Sequence, residues 1–333
     1  MNAPKIDFQK HRVDVFKALT TDPAPLDFIW PGFLAGTVGT LFAPGATSKS
    51  FWTIQAAVAV ATGIDTVGIT PGGLGRVVYL AAEDPTIVLQ HRLRAISLGK
   101  GFSPDDAGLA QERIDLLSLV GQGLNLGDDE QRGELIEYCK GSRLVIIDTI
   151  SRAHRLDENS NGEMAQLLMF LEMIAGQTGA AILFLHHIAK AMSRAGEGDS
   201  QHAARGAGAL TDNARMGSAL SRMTASEAEQ MIDRNLGSVE PIGPDSRARY
   251  VRMSIPKNNY SAPIADRWYR RDGGGVLTPV DLTEAEKMEE LKAAKACARR
   301  GLANIMGRGA DGFDARHKAA APTGAGGEDD DNW

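Results

Sequence analysis

TVGTLFAPGATSKSFWTIQ, residues 37–55, reads as a short apolar strand, a tight loop of small residues, and a Lys-Ser pair that opens a helix. That is the layout of a phosphate-binding loop. Backbone N–H groups of the loop and of the helix N-terminus converge on one spot, and the helix dipole adds partial positive charge there. In this reading Lys49 reaches the β- and γ-phosphates of a nucleoside triphosphate and the Ser50 hydroxyl ligates Mg²⁺. The candidate phosphate-binding set is Ala43, Pro44, Gly45, Ala46, Thr47, Ser48, Lys49, Ser50 and Phe51. The pattern G-x-x-x-x-G-K-[ST] asks for glycine at Ala43 and at Ser48. Only Lys49 and Ser50 fit outright, with Gly45 as an internal glycine. Glycine before the lysine lets the backbone approach the phosphates with free φ. Ser48 serves with a negative φ, or at a strain of about 1–3 kcal/mol. The competing reading is a Pro-Gly turn between a strand and an amphipathic helix.

The rest of the chain decides between them. From Thr37 to Ile188 strand-like and helical patterns alternate. After the helix from Lys49 to Ala61, a turn cluster (TPGGLG, 70–75) precedes the strand RVVYLAA, and Asp84-Pro85 opens a helix to about Leu98. IDLLSLV (114–120) reads as a strand, Asp128–Lys140 as a helix with acids early and Lys late, and RLVIID (143–148) as a buried strand. Glu163–Gln177 then reads as a helix and AAILFLHH (180–187) as a second buried strand. Continuous apolar strands separated by helices indicate a parallel sheet covered on both faces. The expectation is an α/β fold with a mostly parallel central sheet flanked by helices and a β-rich C-terminal end. The last comes from RYVRMSIP, DRWYRRD and GGVLTPV, which follow a helix over TASEAEQMIDRN (224–235). Residues 1–24 read as an N-terminal arm, 25–280 as the main domain, and 281–300 as an exposed helix. Residues 301–333, Gly/Ala-rich and ending in GAGGEDDDNW, read as a disordered tail.

Ligands of such sheets bind outside the carboxyl ends of the strands. Four features fall there: the loop with Lys49 and Ser50, Glu83 and Asp84, Asp148 and Thr149, and His186 and His187. An apolar run ending in an acid, a second acid and a phosphate loop together make the set that ATP hydrolysis needs. Asp148 is assigned to the metal and Glu83 to the attacking water, with Glu83 also reaching the metal through a water. One of the two histidines is placed near the γ-phosphate as its sensor. A zinc site is not expected, because no Cys or third His follows at ligand spacing.

Arg205, Arg215 and Lys257 are candidates for a cation that acts on the phosphates from a neighbouring chain. Arg215 is the first choice, and Arg205 ends a small, polar loop over 188–206. The net charge is −6, so any nucleic-acid contact needs a local patch or a surface created by assembly. Two cysteines without ligand spacing fit a reducing, cytoplasmic setting. No apolar run reaches the roughly 18 residues that span a membrane, so no membrane partner is expected.

The blocks APGATSKS, AAEDP with HRL, LVIIDT, FLHH, ARGAG, TDNAR, PKNNY and DRWYRRDGGGVL resemble the RepA hexameric replicative helicases of broad-host-range plasmids, RecA/DnaB-like P-loop ATPases. The resemblance covers roughly residues 22–280. It implies a RecA-like fold, ATP and Mg²⁺ as cofactors, a homohexameric ring, and unwinding of DNA in plasmid replication with single-stranded DNA in the channel. By residue it implies Lys49, Glu83, Asp148, His187 and Arg215 as catalytic. It adds Arg92, Arg205 and Lys257 to the nucleotide-binding set, and turns the 188–206 loop toward DNA. Ser48 departs from the family's usual glycine. No primase-like or initiator-like domain is read in these residues, so those activities are expected from separate proteins. Two alternatives stand beside this reading. One is a RecA-like ATPase that remodels or loads proteins on DNA without unwinding, and the other is a non-hydrolysing nucleotide-binding scaffold.

Overall fold

The computed structural model describes residues 7–187, 210 and 213–285. The arm carries one short helix, α1 (Val15–Thr20), capped by Asp14, and buries none of its residues. A small antiparallel pair, β1 (Phe28–Trp30) with β2 (Phe33–Leu34), leads into the core. Gly72 of the TPGGLG turn donates its N–H to Ile29 O, and a Cβ there would stand 2.2 Å from Phe28 O, so only glycine closes this contact.

The core is one nine-stranded sheet. Its parallel part comprises β3 (Val38–Ala43), β4 (Arg76–Ala81), β5 (Ile114–Ser118), β6 (Ser142–Asp148), β7 (Ala181–His187) and β8 (Met216–Arg222). An antiparallel ribbon of β10 (Tyr250–Asn258), β11 (Arg267–Arg271) and β12 (Leu277–Val280) extends it, in the order β12-β11-β10-β8-β3-β7-β6-β4-β5. The helices are α2 (Lys49–Thr62), α3 (Thr86–Lys100), α4 (Pro104–Arg113), α5 (Asp129–Cys139) and α6 (Asn161–Thr178).

Alternate residues of each central strand feed opposite faces. Leu41, Val77, Tyr79, Leu144, Ile146 and Leu183 pack toward α2 and α3, with Trp52, Ile54 and Leu89. Val38, Val78, Leu80, Val145, Ile147, Ile182 and Phe184 pack toward α5 and α6, with Ile136, Leu167 and Leu171. Both faces are covered, which is why these strands read as unbroken apolar runs.

Two expectations are corrected and one helix is added. The helix over 224–235 is shorter: α7 (Ala225–Gln230) ends before a strand, β9 (Met231–Asp233). Residues 282–284, expected at the start of the exposed helix over 281–300, instead form β13 (Leu282–Glu284), which pairs antiparallel with β9, and residues 286–300 lie outside the described residues. That pairing is non-local, and Asp233 at its end holds Tyr250 (2.8 Å) and Arg270 (2.9 Å). Helical periodicity in the sequence gives way to that buried contact. Between α3 and β5 stands α4, which strand-and-helix alternation did not demand. Ser103 and Asp106 form its capping box and Pro104 begins it. The 188–206 loop, Arg205 and the 301–333 tail lie outside the described residues.

Candidate nucleotide site

The loop between β3 and α2 leaves the carboxyl edge of the sheet. Thr47 is buried and its Oγ1 donates to Pro44 O at 2.7 Å, closing the loop on itself. Ala46 (φ 60°) and Ser48 (φ 68°, ψ 28°) are both left-handed. Ser48 therefore takes the backbone that glycine would take freely, at a strain of about 1–3 kcal/mol. Its side chain makes no capping bond, and helix α2 begins at Lys49. Gly45 is exposed and its missing Cβ would meet nothing, so packing does not demand glycine there.

Four strand ends converge behind the loop. Lys49 is only 7% exposed, and its Nζ donates to His187 Nδ1 at 3.1 Å. An ammonium has no acceptor, so Nδ1 is the acceptor in this contact. The other ring nitrogen, Nε2, lies 3.5 Å from Nζ and faces Glu83 Oε2 at 3.8 Å. Burial pulls the Lys49 ammonium below its usual range, and Asp148 and Glu83 pull it back up. Asp148 is 5% exposed. Burial pushes its carboxyl up, while hydrogen bonds from Ser50 and Tyr79 and the Lys49 charge hold it down. Tyr79 donates to Asp148 Oδ2 at 2.7 Å and shares a second bond with Thr53 Oγ1 at 2.9 Å. Glu83 is oriented by Thr149 Oγ1 at 3.0 Å, with Arg152 Nε 3.6 Å away. A cis peptide joins Asp148 to Thr149.

This donor set fits Mg²⁺. A hydroxyl and a carboxylate oxygen, Ser50 and Asp148, lie side by side, and Tyr79 fixes the carboxylate from behind. Among the described residues no group of three metal-ligating side chains exists. Mg²⁺ keeps several waters and takes one or two protein oxygens plus phosphate.

The second acid and the remaining loop candidates have partners of their own. Asp84 pairs with Arg92 through both guanidinium nitrogens, Nη2 at 3.1 Å, and Arg92 stacks on the Phe51 ring at 5.5 Å. Phe51 in turn packs against Gly275. Arg92 and Phe51 thus form the wall beside the loop, and Glu83 is the acid left facing the Lys49–His187 pair. His186 turns away to Glu158 at 3.8 Å, and Glu158 also faces the buried His154 at 3.9 Å. Burial holds both imidazoles below their usual range.

Arg215 sits at the opposite edge of the sheet. Its N–H bonds Val38 O at the start of β3, and its side chain is exposed. Lys257 lies beside it, paired in register with Gly217 at the start of β8. The three candidates therefore divide. Arg215 and Lys257 share one edge remote from their own loop, and Arg205 is outside the described residues. The structure adds two residues that sequence reasoning missed. Arg222, at the end of β8, donates to Gly45 O at 2.8 Å, and Arg271, at the end of β11, donates to Ala46 O at 2.8 Å. An arginine closing a strand was visible in the sequence, but which strands flank β3 was not.

A family model described as an AAA domain matches residues 4–193. The architecture is similar to a solved structure described as an ATPase domain, with TM-score 0.53 and 12% identity over 84% of this chain and 100% of that one. The RadB recombinase gives TM-score 0.46 and 13% identity over 72% of this chain and 90% of that one. The fold is RecA-like: a mostly parallel, helix-flanked sheet with a strand-rich C-terminal region.

Proposed function

The chain belongs to the family of AAA domains, and from that premise we propose that it is an ATP-dependent DNA helicase, working as a ring of identical subunits in plasmid-type replication. The observation that carries this reading is the division of charge between the two edges of the sheet. Lys49, Ser50, Glu83, Asp148 and His187 meet at the carboxyl edge, while Arg215 and Lys257 stand together at the other. A cation needed at the phosphates but mounted on the far edge of its own subunit serves a neighbour's site. Head-to-tail contacts of that kind generate rings where the rotation between subunits closes.

Lys49 binds the terminal phosphates, and Ser50 and Asp148 would hold Mg²⁺, which would supply charge neutralisation at the phosphates. Glu83 orients and deprotonates the attacking water. His187, bonded to Lys49 and facing Glu83, links the γ-phosphate position to that base. Arg215 from the neighbour stabilises charge in the transition state, with Lys257 beside it and Arg205 as a further phosphate or DNA contact. Lys190, Arg194 and Arg205 of the 188–206 segment bind the backbone of single-stranded DNA rather than stacking on its bases, since that segment carries no Phe, Tyr or Trp. Initiator and primase activities come from separate partners.

The test is ATP hydrolysis by the purified chain with and without single-stranded DNA, followed by strand displacement and native mass measurement. DNA-stimulated turnover with displacement by a ring is expected. Turnover without displacement would replace unwinding by protein remodelling on DNA. The left-handed Ser48 favours a second reading, a nucleotide-binding scaffold; ATP binding with no turnover under any condition would establish it and overturn the first.

A further inference from the structure

The phosphate loop is held from outside by two guanidinium groups. Arg222 and Arg271 each donate one N–H to a loop carbonyl, Gly45 O and Ala46 O, both at 2.8 Å. Those carbonyls belong to the segment that precedes Ser48 and contains the other left-handed residue, Ala46. Neither guanidinium is paired with a carboxylate among the described residues. Asp272, the acid next to Arg271, is turned to Arg270 (2.9 Å) and Thr278 (2.7 Å). The Nε of Arg271 is buried with no hydrogen-bond partner among the described residues. Burial first, and then the nearby Arg222 charge, pull the Arg271 guanidinium below its usual range. Two like charges brought together beside carbonyl oxygens are stable only while the loop presents those oxygens. β10 runs antiparallel to both β8 and β11, so these two strands run the same way and deliver both arginines to the edge where β3 releases the loop.

We propose that Arg222 and Arg271 are positioning residues that clamp the glycine-poor phosphate loop in its ligand-ready conformation, taking over the role that a glycine at position 48 would play. A left-handed serine tends to relax toward negative φ. Relaxation would turn the Lys49 and Ser50 N–H groups away from their common focus, and the clamp opposes this by pinning the carbonyls on the far side. Charge-assisted bonds of this type are about twice as strong as neutral ones.

The clamp rests on the loop being a phosphate site, but its first test does not need nucleotide. In the nucleotide-free protein, amide hydrogen exchange of the 43–50 segment should speed up by about tenfold in Arg222→Ala/Arg271→Ala. Unchanged exchange there would overturn the clamp whether or not ATP binds. The second test is kinetic. The double variant should raise KM for ATP by about tenfold with kcat nearly retained, and most of that rise should disappear when Ser48→Gly is added. An equal rise in both backgrounds would mean that the arginines do not act through the strained backbone. Arg271→Gln keeps an N–H donor without the charge and should be milder than Arg271→Ala. If the two are equally impaired and the defect fades with salt, the pair acts as a long-range field and the clamp fails. Absence of ATP binding by the parent protein, with exchange behaving as expected, would sink the nucleotide reading and leave the clamp standing.

Discussion

The two edges of the central sheet are built by opposite rules. At the carboxyl edge, charged groups are buried and crowded. Asp148 and Lys49 are almost inaccessible, each pushed toward its neutral form by burial and pulled back by the other. The backbone there is left-handed at Ala46 and Ser48. At the amino edge, Arg215 is held by its main chain, between Val38 O and the N–H of Asn259, and its side chain is in solvent. On the proposed function, the difference follows from what each edge would do. Holding a phosphate and a metal would call for Lys49 and Asp148 to be poised between charge states, which burial provides. A transition-state cation needs only a permanent charge free to reach across a subunit boundary.

The largest test of this division is Arg215→Ala. With the arginine acting on a neighbour, kcat should fall by about 10³–10⁵-fold while nucleotide affinity is retained. Mixing this variant with Glu83→Gln should restore part of the turnover, because mixed rings contain some sites with both groups intact. Failure of every mixture to recover activity would assign Arg215 to its own subunit or to no catalytic role. At the carboxyl edge, Glu83→Gln should lower kcat by about 10²–10⁴-fold with ATP still bound. Lys49→Ala should remove turnover with the melting temperature little changed. Retained hydrolysis in Lys49→Ala would break the assignment of the loop.

Much of the carboxyl edge was legible because the sheet writes it into the sequence. RVVYLAA-Glu83, RLVII-Asp148 and AAILFL-His186-His187 each end an apolar run on a polar side chain, and a strand buried on both faces has no other way to read. The amino edge was legible only residue by residue, since Arg215 and Lys257 meet through the pairing of β8 with β10. For the same reason Arg222 and Arg271 were invisible as loop contacts: their strands flank β3 through tertiary order, not sequence order. The β9–β13 pair was hidden by the helical pattern of residues 224–235, and α4 went unread although Ser103-Pro104 and Asp106 spell a helix start. Residue type left the Ser48 conformation with two branches, and the left-handed one is realised.

A smaller effect sharpens the account of burial. Tyr79 is enclosed, its hydroxyl pushed well above the usual phenol range first by burial and then by Asp148, so it stays a donor to Asp148 at any working pH. Tyr79→Phe removes that donor from behind the carboxylate proposed to hold the metal. The Mg²⁺ concentration for half-maximal turnover should rise by about ten- to hundredfold, as for other partners of a metal ligand. An unchanged Mg²⁺ titration would show that Asp148 is oriented by Ser50 and Lys49 alone.

The smallest effect concerns stability and pH. His154 and His186 face Glu158 from two elements, and Glu163 adds its charge near His154. Burial nevertheless dominates and lowers both imidazoles. A base whose folded value lies below its unfolded value, about 6.5, contributes stability that is fully present above that value and is lost as pH falls through it. The nucleotide-free protein should therefore unfold at lower urea at about pH 5.5 than at about pH 7.5. His154→Asn keeps an acceptor for the Leu156 N–H, which bonds the ring nitrogen at 3.2 Å, and does not titrate. The drop in stability between the two pH values should shrink in this variant by about 1 kcal/mol or less. An identical drop would mean that Glu158 offsets the burial of His154 in full, and would leave His186, among the described residues, as the buried imidazole at this edge that senses acid.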